Sequence, residues 1–449
     1  MRFVKGGSFP WKGVFGSSIT LVAVFLGAVN WFYLKDEPVP PTPYWAVPVV
    51  RDPEAIAALR GYFALEPPLG ELGEEERDRI AAGCLAGTSS AISTDDDAKL
   101  KGEVTALAFK YGDALEALQQ HLESSSRFTY PAAEKYDLSD QAGLLDSDFT
   151  LKFLIQMRIQ MRHECWSGNL NVGIDSAIDG VNLAHLLLHA DGVVVHHLIG
   201  ITVYNIALQT LYSASWLAKD DPELLRQIIS RTVPLRLDST PFRQAIVGDY
   251  WWSQSVTSEI TFELLRAAYP EEDDRLFWIA PQLFSKDNQT HRLYQDLYTW
   301  FIENSDHPYY LRTNPAPWDQ LWEVTEKALV RDLHPNSIGY MQTARTAGVF
   351  EVILDRTLRT EFFLECIQTA CAVRIFELEH GGYPKDLAEL IPDYIDQLPV
   401  DPQDGELVRF RDGVLFGIGE DDIAQGATWG SPFESADDPA LAVPGRKSE

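Results

Sequence analysis

The chain has 449 residues, 66 of them acidic and 37 basic, for a formal net charge of −29. A surface so acidic repels nucleic acid and anionic lipid headgroups, which excludes nucleic-acid binding. Hydrophobic residues make up 45% of the chain, enough to bury a core and to exclude disorder along its whole length.

The first predicted element is an apolar span. Val14 to Leu34 contains no charged residue. As a helix rising 1.5 Å per residue it covers about 30 Å, the thickness of a bilayer's hydrocarbon core. Arg2, Lys5 and Lys12 precede it, and Lys35, Asp36 and Glu37 follow it. The positive-inside rule then places the N-terminus in the cytoplasm and the rest of the chain outside it, anchored in the inner membrane. Trp31, Phe32 and Tyr33 suit an interfacial aromatic belt. A cleaved signal peptide also has an apolar stretch, but no small-x-small site follows this one. Residues 35–53 are rich in proline, with Pro38, Pro40, Pro41, Pro43 and Pro48, and predict an extended linker.

From residue 54 to 345 the pattern predicts a mainly α-helical extracytoplasmic domain. Expected helices run over 55–63, 70–87, 95–122, 147–165, 172–189, 193–216, 222–232, 241–269, 290–304 and 318–329. The Thr94-Asp95-Asp96-Asp97 cluster suits an N-terminal cap. Residues 172–189 and 193–216 read as a helical hairpin turning at Ala190-Asp191-Gly192. Strand patterns are nearly absent before residue 400, and no internal repeat period emerges.

A long helix is expected over 350–380. Leu354, Leu358, Phe362, Cys366, Ala370 and Val373 form one apolar stripe, widened by Phe363, Ile367, Cys371, Ile375 and Leu378. Gly381 stands where a helix ends and Pro384 blocks continuation. Strands over 406–410 and 414–419 meet at Asp412-Gly413, a strong hairpin signal. Residues 426–449 read as a disordered tail.

Candidate chemistry is sparse. His185 and His189 are four apart on one predicted helix face, with His196 and His197 opening the next. Such a pair holds zinc when a third ligand and a basic Glu join it. Asp191 is the nearest acid and there is no His-Glu-x-x-His, so hydrogen-bonded structural histidines are the plainer reading. A zinc-dependent hydrolase stays the alternative. Tyr250, Trp251, Trp252, Trp278, Tyr294, Tyr298, Trp300, Tyr309, Tyr310, Trp318 and Trp322 gather in one stretch. They suit a helical core or, alternatively, a glycan- or peptidoglycan-stacking surface. Glu259 and Glu263 lie one turn apart, a spacing that chance supplies in so acidic a chain. No Gly-x-Ser-x-Gly elbow, P-loop or dinucleotide fingerprint occurs, so no catalytic or cofactor-binding residue is assigned. The cysteines (Cys84, Cys165, Cys366 and Cys371) form no Cys-x-x-Cys. Buried thiols are the plainer expectation; a Cys84–Cys165 bridge is the other.

His380-Gly381-Gly382-Tyr383-Pro384-Lys385-Asp386-Leu387, followed by Leu398-Pro399-Val400-Asp401-Pro402, joins the long helix to the hairpin. Helix, Gly-Tyr-Pro, short helix, Pro-x-Asp-Pro and hairpin together resemble the globular end of the major pseudopilins of type II secretion. The arrangement is also similar to the tail of a group of exported, single-pass bacterial proteins of unassigned activity. The likeness spans about residues 356–422. It implies a small α+β module over 346–425 and work in the cell envelope among protein partners. It also implies a calcium site, which carries over to Asp401, Asp421 and Asp422. The chain departs from the pattern at Gln403, Gly417 and Asp422, where pseudopilins carry an aromatic residue, a serine and a glycine. It also lacks their early glutamate in the apolar helix. A shared module of this kind does not carry function. The expectation is a membrane-anchored interaction or scaffolding protein without enzymatic activity.

Overall fold

The computed structural model describes residues 38–46, 53–85, 94–125, 127–128, 147–190, 192–256, 287–308, 311–312, 336–418 and 440–446. The apolar span 14–34 lies outside them, as does the helix expected over 318–329. The described chain is mainly helical, with one small sheet of three strands near the C-terminus. Contacts divide it into two units. One comprises Met1–Ala46, Ser253–Trp300 and Asn314–Val349; the other comprises Val47–Trp252, Phe301–Thr313 and Phe350–Glu449. A unit boundary falls between Val349 and Phe350, near the one expected at residue 345, and residues 350–449 group with residues 47–252.

The helices of the described residues are α1 (Pro53–Phe63), α2 (Glu74–Gly83), α3 (Thr94–Lys110), α4 (Gly112–Ser124), α5 (Ser147–Trp166), α6 (Leu170–Leu188), α7 (Val194–Leu217), α8 (Pro222–Thr232), α9 (Thr240–Val256), α10 (Asp287–Asn304) and α11 (Ser337–His380). The single helix expected over 95–122 is two, broken at Tyr111, whose φ of −114° leaves the helical range just before Gly112. The long last helix starts at Ser337, thirteen residues before its expected start at Phe350.

In the first unit, the proline-rich stretch expected as a linker is tied down. Trp45 Nε1 donates to Thr299 Oγ1 at 2.9 Å, and Gln295 Nε2 donates to the Pro41 carbonyl at 2.7 Å. Trp45 meets Tyr298 edge-on, and Tyr294 stacks on Tyr298 with ring centroids 5.8 Å apart. Tyr298 is fully buried. Tyr294 and Tyr298 therefore serve a core, whereas Trp278, Tyr309, Tyr310, Trp318 and Trp322 lie outside the described residues.

In the second unit, α6 and α7 form the expected hairpin, apolar on nearly every face because both are enclosed by other helices. By length and composition α7 could cross a membrane. Its buried residues run from Val194 to Ser215 and 61% of its apolar window is buried inside the protein, as in a core helix. The hairpin closes tightly because position 200 is glycine; a Cβ there would stand 2.9 Å from the Leu188 Cα. Gly248 of α9 passes the hairpin turn so closely that a Cβ would meet the Gly192 carbonyl oxygen at 2.1 Å. Helix α8 begins where Asp221 accepts from the Glu223 and Leu224 amides, with Pro222 at its first position. It buries Leu224, Leu225, Ile228 and Ile229 at helical spacing.

The end of α11 follows expectation. Gly381 takes φ +77° and its amide donates to the Glu377 carbonyl at 2.8 Å. Asp386 caps a 3₁₀ turn over Leu387–Leu390. Strand β1 (Arg409–Arg411) pairs antiparallel with β2 (Val414–Phe416) across Asp412 (φ +51°) and Gly413 (φ +74°), the two left-handed residues that a tight hairpin needs. The perpendicular rings of Tyr383 and Phe410 pack 5.7 Å apart, closing the Gly-Tyr-Pro loop over the hairpin. Both strands are shorter than expected. Strand β3 (Ala440–Ala442), within the stretch expected to be a disordered tail, pairs with β2. The Tyr212 hydroxyl of α7 donates to the Ala442 carbonyl at 2.9 Å and ties the strand to the helical core.

Candidate functional site: a cleft beside the last helix

The face of α11 that carries Leu358, Glu361, Phe362 and Glu365 forms one side of a cleft of about 490 Å³. These residues recur at the three- and four-residue spacing of a single helical face. Ile391, Asp396, Gln397, Leu398, Val400, Pro402 and Leu407 supply the opposite side, and Pro308 closes one end. The segment is bent over the helix by the turn at 402–404, closed by the Gly405 amide donating to the Asp401 carbonyl at 2.9 Å, and by an isolated bridge between Val400 and Leu407. Ile391, Val400 and Leu407 keep 39%, 45% and 53% of their surface exposed, so the rim is apolar and open to solvent.

The two carboxylates of the cleft differ. Glu365 accepts from Gln397 Nε2 at 3.1 Å and lies 3.8 Å from the Arg236 guanidinium. Arg236 is itself held by two bonds to Gln368 Oε1, at 3.1 and 2.7 Å. Glu361 makes no hydrogen bond or ion pair among the described residues. Burial pushes its carboxyl up to about 7, helped by the charges of Glu365 and Asp238 and opposed by Arg236. Glu365 is raised as well, by burial, against the pull of Arg236 and Gln397. Glu361 is thus a half-buried acid poised near neutrality, on an apolar wall, with no partner of its own.

Asp401 is used by the fold. It is 1% exposed. Its carboxylate accepts from the Gln403 amide at 2.9 Å and the Ile418 amide at 2.6 Å, with the Arg409 guanidinium 3.5 Å away. Burial raises its pKa and the two amides oppose that. A calcium ion there would compete with both N–H groups and stand beside a cation, whereas calcium seeks six to eight open oxygens. Asp401 does not fit that role. Asp421 and Asp422 lie outside the described residues.

The histidines sit at the hairpin end. The rings of His185 and His189 are 3.9 Å apart, and His189 Nδ1 donates to the His185 carbonyl at 2.9 Å. His196 Nδ1 accepts from the Val193 amide at the start of α7. His197 Nε2 stands 3.1 Å from the Thr357 hydroxyl, which donates onward to the Ile353 carbonyl. That hydroxyl has one proton, so the His197 proton sits on Nε2. Burial pulls His185 and His196 down to about 4 and His197 to about 3; His189 is lowered too. These are neutral rings: His189 and His196 bond to the backbone and His197 to the Thr357 hydroxyl. Among the described residues no three His, Cys, Asp or Glu side chains are arranged to hold a metal ion. Asp191, Glu259 and Glu263 lie outside them.

All four cysteines are unbridged, and Cys84, Cys366 and Cys371 are buried. Burial raises Cys84 and Cys371 to about 12, far from a reactive thiolate. Sequence reading missed Glu361 and Glu365. Its only signal was two acids four apart at the margin of a broad apolar face. Compared with known protein families, with curated proteins and with solved structures, the chain matches none.

Proposed function

We propose that the chain is a membrane-anchored interaction protein of the bacterial cell envelope, without enzymatic activity, whose docking site is the cleft beside α11. The observation that carries this reading is the pairing of an open apolar rim (Ile391, Val400 and Leu407) with the unpartnered Glu361 carboxylate inside. A concave, mainly apolar surface with one unmet polar group suits recognition. The anchor is the apolar span 14–34, with the N-terminus in the cytoplasm and the body outside. The basic residues before the span and the acidic ones after it support that orientation. The net charge of −29 favours basic protein partners over nucleic acid. The resemblance of residues 356–422 to pseudopilin ends supports a place beside secretion machinery.

Two measurements on the full chain in cells test this. A reporter active only outside the cytoplasm, fused after residue 60, is expected to be active and to fractionate with membranes. A photo-crosslinking amino acid at Val400 or Leu407 is expected to capture a defined protein, and one at the exposed Phe109 of α3 is not. A silent reporter overturns the topology. Crosslinks that form equally from Phe109, or from neither rim position, overturn the docking site.

A further inference from the structure

We propose that the cleft takes a lysine or arginine side chain carried on an otherwise apolar segment of a partner polypeptide. This rests on the docking reading above and names the chemistry of the partner. The argument is charge complementarity within one cavity. The floor carries Glu361 and Glu365, one helical turn apart on the same face of α11. Arg236 already occupies one side of Glu365, and among the described residues no cation forms an ion pair with Glu361. A carboxylate half-buried on an apolar wall is stabilised by a cation that arrives with hydrocarbon around it. Lysine and arginine side chains meet that need, because their methylene stems cover apolar surface while the charged head reaches the acid.

The rim selects what carries the cation. Ile391, Val400 and Leu407 are exposed hydrophobic side chains around an acidic floor. A hydrated metal ion would leave that rim uncovered, and among the described residues no three His, Cys, Asp or Glu side chains are arranged to hold one. A chain with apolar residues on both sides of its basic one covers rim and floor together. The groups that face Glu361 are Glu365 on its own helix and Asp238 and Arg236 from the segment after α8. Asp396 lines the same cleft. Acids outnumber bases around the site, so the field there favours a cation.

The test uses the full chain in detergent and three acetylated, amidated tetrapeptides read by isothermal titration: Leu-Lys-Leu-Leu, Leu-norleucine-Leu-Leu and Leu-Glu-Leu-Leu. The lysine peptide is expected to bind at least tenfold more tightly than the norleucine peptide at pH 8, with the glutamate peptide weakest. Glu361→Gln is expected to erase the lysine advantage while leaving the norleucine peptide unchanged. Leu407→Asp, at an exposed position, is expected to weaken the norleucine peptide several-fold. Equal binding of the lysine and norleucine peptides, both lost in Leu407→Asp, overturns the cation preference and leaves the docking site standing. Binding of the lysine peptide that Leu407→Asp leaves intact, or no binding of any peptide, overturns the docking site itself. Thermal melts of both variants at or above the wild-type midpoint exclude misfolding as the cause of a loss.

Discussion

Asp401 and Glu361 both serve the cleft beside α11, and burial raises the pKa of each, yet their surroundings use them in opposite ways. Asp401 opens the turn at 402–404 with a backbone amide on each carboxylate oxygen and a guanidinium at 3.5 Å. Glu361 faces an open cavity and, among the described residues, has none of these. The sequence motif points at Asp401, and the geometry points at Glu361. A buried charge whose bonds are all made holds a loop in shape. One whose bonds are unmet, beside accessible volume, marks where a ligand would gain the most.

The largest effect expected from this comparison is at Asp401. Replacing it with alanine strands the Gln403 and Ile418 amides and leaves Arg409 beside a void. Each orphaned buried donor costs about 1–3 kcal/mol, and one amide regains water at the turn, so about 3 kcal/mol of stability should be lost. Asp401→Ala should therefore lower the thermal midpoint by several degrees, with or without calcium. A wild type whose midpoint climbs with added calcium, and a variant blind to it, would return Asp401 to the role of a metal ligand.

Glu361→Gln should do the opposite. An acid with a raised folded-state pKa binds its proton in the folded state between its ordinary value and about 7, where the unfolded chain has released it. Its contribution to stability is intact below the ordinary carboxylate pKa and is lost as pH climbs to about 7. Glutamine resembles the protonated form at every pH. The variant should thus match the wild type near pH 4.5 and exceed it at pH 8. Each tenfold change in proton affinity is worth about 1.4 kcal/mol; in a cleft that water enters, the gain should be about 2 kcal/mol. Melts at the two pH values check it. A variant less stable than wild type at pH 8 would show that Glu361 has a partner in the folded chain, and the contrast with Asp401 would collapse.

The same contrast separates what the sequence revealed from what it did not. The helices from α5 to α8 were legible because apolar residues recur at helical spacing and Asp221-Pro222 marks a start. The Gly381 stop and the Asp412-Gly413 turn were legible because the backbone there needs positive φ. Strand β3 was not, because Ala440-Leu441-Ala442 shows no alternation. Its pairing is set by β2 and by the Tyr212 hydroxyl, some 230 residues away in sequence. The break at Tyr111 was hidden because the apolar spacing runs across it. The cleft was hidden for a related reason: in sequence Glu361 and Glu365 look alike. Only folding gives Glu365 an ion pair with Arg236 and a hydrogen bond from Gln397, and gives Glu361 neither.

The histidine end supplies the smallest effect and a control on the same argument. His185 and His189 are packed ring to ring, and His189 spends its Nδ1 proton on the His185 carbonyl. They belong with Asp401, as groups consumed by the fold. Replacing both with alanine removes one hydrogen bond and some packing, so about 1 kcal/mol should be lost at pH 7. The pH dependence runs the other way from that of Glu361. Burial lowers both histidines, His185 to about 4, so the folded state keeps them neutral while the unfolded chain takes up protons below about 6.5. Wild-type stability should fall as pH drops through that window, and the double variant should fall less. The two melting curves are therefore expected to differ at pH 7 and to converge near pH 5, with zinc content the same in both. Stoichiometric zinc in the wild type that vanishes in the double variant would move the histidines from the consumed class to the functional one and reopen the hydrolase reading.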